Sequence, residues 1–150
     1  MSYQTSETEI VSFTLDDGSY ENLHAKRLGA SSFLLDNSPF YIYDVSYQDE
    51  VVAHSKDGRL VFESVLRRGG HSTYRIKLPP RKTHEDFLRG FDKLDHLGCT
   101  FEGSVAGSRR LYSIDLPPST DVAAVYEIME DGEARGEWEF EEAHFFRGHR

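Results

Sequence analysis

The sequence has few of the features that mark secreted or membrane-bound proteins. Its single cysteine, Cys99, cannot form an internal disulfide, so we expect a reducing compartment. No run approaches the roughly 20 apolar residues that a membrane span requires. The N-terminal residues MSYQTSETE lack the basic and apolar parts of a signal peptide. These absences predict a cytoplasmic protein that is not attached to a membrane.

Motifs for catalysis and metal binding are also missing. The seven histidines show no metal-ligand spacing such as HExxH, and one cysteine cannot form a thiolate cluster. The chain contains no GxSxG, P-loop or GxGxxG motif. We therefore expect no metal and no cofactor. The sequence also argues against an enzyme, although one whose site has no recognisable motif stays open.

Negative charge is concentrated near the C-terminus of the chain. The net charge is −9, and residues 121–142 contain nine acids and one base, Arg135. The acids are Asp121, Glu127, Glu130, Asp131, Glu133, Glu137, Glu139, Glu141 and Glu142. Such a segment repels a phosphate backbone and attracts a basic protein. It therefore argues against direct nucleic-acid binding, and no basic stripe accompanies the aromatic run at residues 40–47.

Residues 8–70 have the two-residue periodicity of β-strands. Val11 and Phe13 alternate with polar residues, and Asp57-Gly58 lies between two β-type runs. An Asp-Gly pair in that position is typical of a β-hairpin, because both turn residues must tolerate positive φ. We predict five or six strands here, one of them over residues 40–45, and no helix. The segment is interpreted as a small β-barrel-like subdomain.

Residues 71–146 alternate between the periods of strand and helix. Thr83 is placed to cap a first helix, and Ser119 or Thr120 a second. The predicted inward residues are Phe87, Leu88, Phe91, Leu94 and Leu97 in the first helix, and Val122, Val125, Tyr126 and Met129 in the second. The order strand, helix, strand, strand, helix, strand predicts a ferredoxin-like βαββαβ subdomain. The whole is an α+β protein, with both subdomains in one compact body.

This topology makes the first and last strands of residues 71–146 antiparallel neighbours. Thr73, Arg75 and Lys77 should then share the polar face of the sheet with Glu137, Glu139 and Glu141. Opposite-charge pairs across strands contribute roughly 0.2–1 kcal/mol each. Part of the acidic segment is therefore expected to neutralise its own neighbours.

The segment Arg67–Arg75 is the best candidate for a ligand site. Its candidate ligand-binding residues are Arg68, His71, Ser72, Thr73 and Arg75. Guanidinium groups, hydroxyls and the backbone amides of a Gly-Gly turn all favour anions. The alternative is structural: Gly69-Gly70 forms a tight junction between the subdomains, and Arg75 pairs with a glutamate across the sheet.

Several short motifs resemble those of one bacterial protein family. They are Asn37-x-Pro39-Phe40, Val45-Ser46-Tyr47-x-Asp49-x-Val51, Gly58-Arg59-Leu60-x-Phe62-x-x-Val65 and Gly70-His71-Ser72-Thr73-x-Arg75. The pattern is similar to an uncharacterised bacterial domain-of-unknown-function family. The resemblance implies a bacterial cytoplasmic setting. It implies no activity and no catalytic residues. Gln48 departs from it, because a glycine is expected there.

Besides the enzyme left open above, the sequence supports two binding functions. The first is a non-catalytic cytoplasmic binding protein, in particular an immunity or antitoxin-type inhibitor that docks an acidic face on a basic protein partner. The candidate partner-binding residues are Glu127, Glu130 and Asp131, on the outer side of the second predicted helix. The alternative is a regulatory domain that binds a small anionic ligand or a nucleotide through Arg68–Arg75.

Overall fold

A computed structural model describes residues 8–106 and 109–147. In these ranges the chain has a mixed α+β fold, mostly sheet. The strands are β1 Thr8–Thr14, β2 Tyr20–Arg27, β3 Ser32–Leu35, β4 Glu50–Lys56, β5 Arg59–Arg67, β6 Ser72–Lys77, β7 Thr100–Ala106, β8 Arg109–Leu116 and β9 Glu139–His144. The helices are α1 His84–His96 and α2 Val122–Ala134. Neither helix within the described ranges has the length and apolar character needed to cross a membrane.

Strands β1 to β5 form the N-terminal sheet. Each pairs antiparallel with the next, and β1 also pairs in parallel with β5, so the sheet closes on itself. The enclosed core includes Val11, Phe13, Leu23, Ala25, Phe33, Leu35, Val51 and Ala53. The predicted hairpin is confirmed, because β4 and β5 pair on either side of Asp57 and Gly58, whose φ angles are 52° and 78°.

The strand predicted over residues 40–45 is wrong. Residues 36–49 connect β3 to β4 as an irregular loop, hereafter the 36–49 loop. Its backbone groups are bound largely by side chains from elsewhere in the chain, instead of by a neighbouring strand. The hydrophobicity of the loop residues does not show that side chains distant in sequence will bind their backbone groups.

Strands β6 to β9 form the C-terminal sheet, in the order β7-β8-β6-β9 with every pair antiparallel. The apolar side chains of β6 and β8 pack with those of both helices in a second core. The predicted pairing of the first and last strands is confirmed. Arg75 is in register with Glu141, and Lys77 with Glu139.

The helices begin at side-chain caps. Thr83 accepts the backbone N–H of Asp86 and donates its own backbone N–H to the Asp86 carboxylate, which confirms the predicted cap of α1. The cap of α2 is Asp121, instead of the predicted Ser119 or Thr120. Leu88 and Tyr126, both predicted to face inward, are each 43% exposed. Each directly follows a buried residue, from which it is rotated by about 100° around the helix.

Trp138 fills the space between the two helices. Its indole N–H donates to the Met129 carbonyl at 3.0 Å. A Cβ atom built on Gly90 in α1 would lie 2.6 Å from the indole, and one on Gly132 in α2 would lie 2.4 Å from it. These two glycines let the helices approach the ring, which offsets the lower helix propensity of glycine.

Candidate functional site

The 36–49 loop covers the face of the C-terminal sheet that is turned away from the helices. Ser113, on β8, donates its hydroxyl to the Pro39 carbonyl at 2.7 Å. The backbone N–H of Ser38 donates to the Glu102 carboxylate on β7 at 3.0 Å. The loop therefore joins the N-terminal sheet to the polar face of the C-terminal sheet.

Arg75 is the main anchor of this loop. It is 2% exposed, and its Nε donates to the Glu141 carboxylate at 2.9 Å, as predicted for a pair across the sheet. Its guanidinium also donates to the backbone carbonyls of Pro39 (3.4 Å), Tyr41 (3.3 Å) and Ile42 (2.8 Å). The ring of Tyr43 covers the guanidinium at 4.7 Å. Burial acts to raise the pKa of Glu141, but hydrogen bonds from Tyr43 and Arg75 outweigh it and lower that pKa.

Glu21 holds the same loop from the N-terminal sheet. This buried carboxylate on β2 accepts the backbone N–H groups of three successive residues, Phe40 (2.6 Å), Tyr41 (3.0 Å) and Ile42 (2.8 Å). Hydrogen bonds to an ionised acceptor are roughly twice as strong as neutral ones. Glu21 thus binds donors of the loop from the N-terminal sheet, and Arg75 binds its acceptors from the C-terminal sheet.

Asp49 fixes the Gly69 turn. The fully buried carboxylate accepts the backbone N–H of Ser46 at 3.0 Å, the Arg68 guanidinium at 3.0 Å and the backbone N–H of Gly69 at 2.9 Å. A Cβ atom on Gly69 would lie 2.3 Å from the Gln48 carbonyl oxygen, so only glycine fits there. Gln48 itself has a φ of 72°, which accounts for the glycine expected at this position.

Further side-chain contacts lie near this turn. The Ser46 hydroxyl lies 2.5 Å from the Thr73 hydroxyl and 2.8 Å from Nδ1 of His144. Burial, followed by the nearby charge of Arg68, lowers the pKa of His144. His71 Nδ1 lies 2.9 Å from both carboxylate oxygens of Asp115.

The five residues predicted to bind an anion do not form one cluster, because Ser72 lies on the opposite face of β6 from Thr73 and Arg75. Each of the five has a partner within the chain. Ser72 accepts the backbone N–H of Phe146 at 2.9 Å, and Arg68 also donates to the Asp44 carbonyl at 2.6 Å. Thr73, His71 and Arg75 are bound as described above. Anion binding therefore stays a prediction, and these contacts favour the structural junction that the sequence left as the alternative.

Among the described residues, no group of three or more His, Cys, Asp or Glu side chains is placed to hold a metal ion. Cys99 is buried, and burial raises the pKa of its thiol to about 12. This cysteine is therefore a protonated core residue at neutral pH, instead of a thiolate nucleophile.

The acidic segment forms a surface that we call the acidic face: Tyr126, Glu127, Glu130 and Glu133 on α2, with Glu142 on β9. Within the described part of the chain, no ion pair involves Glu127, Glu130 or Glu133. The other predicted partner residue, Asp131, pairs with Arg135 at 2.8 Å. Two of the three predicted residues, Glu127 and Glu130, therefore form no ion pair with any residue that the structure describes.

Tyr126, which the helical pattern predicted to face inward, is the exposed ring of this face. Its ring meets Phe140 of β9 edge-on at 5.7 Å. The negative charge of Glu130 raises the pKa of the Tyr126 hydroxyl. Glu142 accepts a hydrogen bond from the buried Tyr74 hydroxyl at 2.7 Å. The face thus combines an exposed aromatic ring with surrounding carboxylates.

Comparisons with known proteins identify a family and a related fold. Residues 21–140 match the model of a family described as a domain of unknown function, DUF4265. No curated protein matches the chain. A solved structure described as the novel crystal structure of a hypothetical protein from Neisseria gonorrhoeae is similar to it, with a TM-score of 0.74 and 16% sequence identity. The similarity covers 98% of this chain and 100% of that one, and at this identity it shows the fold alone.

Proposed function

Since the chain belongs to the DUF4265 family, whose description names no activity, we propose a function from its geometry: it is a non-catalytic protein that binds a basic protein partner through its acidic face. The observation that carries this proposal is the set of carboxylates on α2, Glu127, Glu130 and Glu133, which form no ion pair within the described residues. Their charge supports docking on a basic protein.

Tyr126 supports a protein partner in particular. An exposed aromatic ring attracts an arginine or lysine side chain through its face, and tyrosine is enriched among the residues that dominate interface energies. At Tyr126 this attraction would add to that of the neighbouring carboxylates. A cationic side chain of the partner fits the acidic face better than an anion does.

The specific form that we propose is an immunity or antitoxin-type inhibitor in the bacterial cytoplasm. Enzymes that act on nucleic acids carry basic substrate sites, and an inhibitor can occupy such a site with carboxylates. The net charge of −9 and its concentration on one surface support this form. The buried, unpaired Cys99 suits a reducing compartment.

We further propose a classification of the two sheets. The N-terminal unit is a small five-stranded barrel, supported by the parallel pairing of β1 with β5. The C-terminal unit is ferredoxin-like, supported by its strand order β7-β8-β6-β9 and by a core shared with both helices. In this arrangement α2 and β9 lie at one edge, where the acidic face is open to a partner.

The proposal is tested by affinity capture from a bacterial lysate with two baits of equal net charge. One bait carries Glu127→Lys and Glu130→Lys. The control carries Glu85→Lys and Asp95→Lys, which reverse two exposed carboxylates on α1. A basic protein held by the native chain and by the control bait, and lost from the first bait, is the expected result.

If both baits lose the captured protein, or if both retain it, docking through the acidic face is contradicted. Toxicity assays of the captured protein, alone and with the native chain, then test the inhibitor form. A partner without toxicity, or one whose activity the chain leaves unchanged, contradicts that form.

A further inference from the structure

Tyr41 and Tyr43 are exposed although the backbone that carries them is held firmly. Their exposed fractions are 49% and 52%. Glu21 binds the N–H groups of this backbone and Arg75 binds its carbonyls, as described above. Tyrosine rings on a fixed backbone lose little conformational entropy when they are covered by a partner. They therefore have the properties of preformed binding anchors.

The two tyrosines line a groove between the 36–49 loop and the β1–β2 turn. Tyr41, Ile42 and Tyr43 form one side, and Thr14 and Leu15 line the other. The cavity between them measures about 310 Å³. We call this the tyrosine groove. Its lining of rings and aliphatic side chains suits an apolar side chain of a partner.

Carboxylates lie at the groove. Asp16 and Asp17 also line it, and within the described residues neither forms an ion pair. The Tyr43 hydroxyl donates to Glu141 at 2.7 Å. The groove therefore favours a cationic segment over a phosphate-bearing ligand.

We propose that the tyrosine groove binds a segment of the basic partner that carries both cationic and apolar side chains, an inference that rests on the proposed function. The groove and the acidic face meet at β9. Glu141 contacts Tyr43 on one side of this strand, while its neighbour Phe140 contacts Tyr126 on the other. Because β9 is an edge strand, one partner lying along that edge reaches both surfaces. A second copy of this chain fits poorly, since it would bring like charges together.

Nuclear magnetic resonance of the ¹⁵N-labelled chain tests the proposal with two peptide probes. One octapeptide alternates arginine with leucine, and the other alternates arginine with glycine at the same charge. The leucine peptide should bind about tenfold more tightly, because only it buries apolar side chains. It should shift the amide signals of residues 14–17, 41–43 and 141.

Three variants separate the groove from the acidic face. Tyr41→Ser should abolish the tenfold preference, whereas Tyr41→Phe and the control Tyr126→Ser should keep it. A Tyr41→Ser variant with the dispersed spectrum of the native chain shows that folding is not the cause. If Tyr41→Ser unfolds, the Tyr41→Phe variant and the map of shifted amides still decide the question.

The outcomes also distinguish this inference from the proposed function. Signals that shift only on α2 and around Glu142 overturn groove binding and leave docking through the acidic face intact. Equal affinities for the two peptides overturn groove binding as well, because charge alone then accounts for the contact. No shift on either surface contradicts both proposals.

Discussion

Glu21 and Arg75 bind the same stretch of backbone from opposite sheets, one through its N–H groups and the other through its carbonyls. The amides of Phe40, Tyr41 and Ile42 donate to Glu21, and the carbonyls of Pro39, Tyr41 and Ile42 accept from Arg75. Buried backbone groups need such partners, since each unsatisfied group costs roughly 1–3 kcal/mol. The two residues together make an irregular loop a fixed part of the fold.

Replacement of Arg75 by alanine should destabilise the protein strongly. The change leaves the carbonyls of Tyr41 and Ile42 without their donor and removes the ion-pair partner of Glu141. We expect a loss of about 3 kcal/mol or more in the free energy of unfolding, measured by urea denaturation. Lys77→Ala is the matched control, because Lys77 lies on the same face of β6 and pairs with Glu139 in solvent. It should cost less than about 1 kcal/mol. Equal costs would show that Arg75 is not the anchor.

The substitutions Glu21→Ala and Arg75→Ala should be non-additive. Either one releases the 36–49 loop, so the second substitution then removes contacts that are already weakened. In a double-mutant cycle we expect the combined loss to fall short of the sum by about 1 kcal/mol or more. The control cycle pairs Glu21→Ala with Lys77→Ala, whose effects should add within about 0.5 kcal/mol. Additive losses in the first cycle would mean that the two residues stabilise separate elements.

Gly132→Ala should lower stability, against the usual effect of alanine in a helix. Alanine ordinarily gains about 1 kcal/mol over glycine in a helix interior. Here the added methyl group would lie 2.4 Å from the Trp138 ring, and such overpacking costs about 1–3 kcal/mol. Thermal unfolding, followed by the fluorescence of this single tryptophan, measures the change. The neighbouring exposed Glu133→Ala should stay within about 0.5 kcal/mol of the native chain. A stabilised Gly132→Ala protein would refute the close packing of Trp138.

His144 should make the protein less stable in mild acid. Its pKa in the folded state is lowered by burial and by Arg68, whereas the unfolded chain has an ordinary value of about 6.5. The unfolded state therefore binds the proton more readily, and the stability present above about pH 6.5 is lost as the pH falls towards the folded-state pKa. Denaturation curves across this window should show a weaker pH dependence for His144→Gln than for the native chain.

His96 supplies a control of opposite sign for this measurement. Its pKa is raised by the Asp92 backbone carbonyl and carboxylate, so its contribution is present below about pH 6.5 and is lost as the pH rises through the folded-state value. His96→Gln should therefore shift the pH dependence the other way. A native chain and a His144→Gln variant with the same pH dependence would contradict the burial of a neutral His144.

Local sequence patterns predicted most of the regular structure. The Asp57-Gly58 hairpin, the Thr83 cap and the shared sheet face of Arg75 and Glu141 all follow from residues close in sequence or from one topological rule. The 36–49 loop could not be predicted in this way, because its partners Glu21 and Arg75 lie many residues away. Its aromatic and aliphatic residues are typical of a strand, although many of its backbone groups bind side chains.

The candidate site was likewise predicted only in part. Charge counting found the acidic segment, but only the structure shows that Arg135 neutralises Asp131 and that Tyr126 is exposed among the remaining carboxylates. A helical pattern with apolar residues at both Val125 and Tyr126 does not reveal which of the two is more deeply buried. The exposure of Tyr41 and Tyr43 could not be predicted either, because it depends on how residues distant in sequence hold their loop.

The most direct test of docking through the acidic face is the association rate of the purified partner at low and high salt. Between 50 and 500 mM salt the Debye length changes about threefold, so an electrostatically steered association should slow steeply. Reversal of Glu127 and Glu130 to lysine should lower the rate at low salt and leave the fold intact, while the Glu85 and Asp95 control should stay close to the native rate. An association rate that is the same at both salt concentrations, or a partner that contacts only residues before Pro79, would contradict the account.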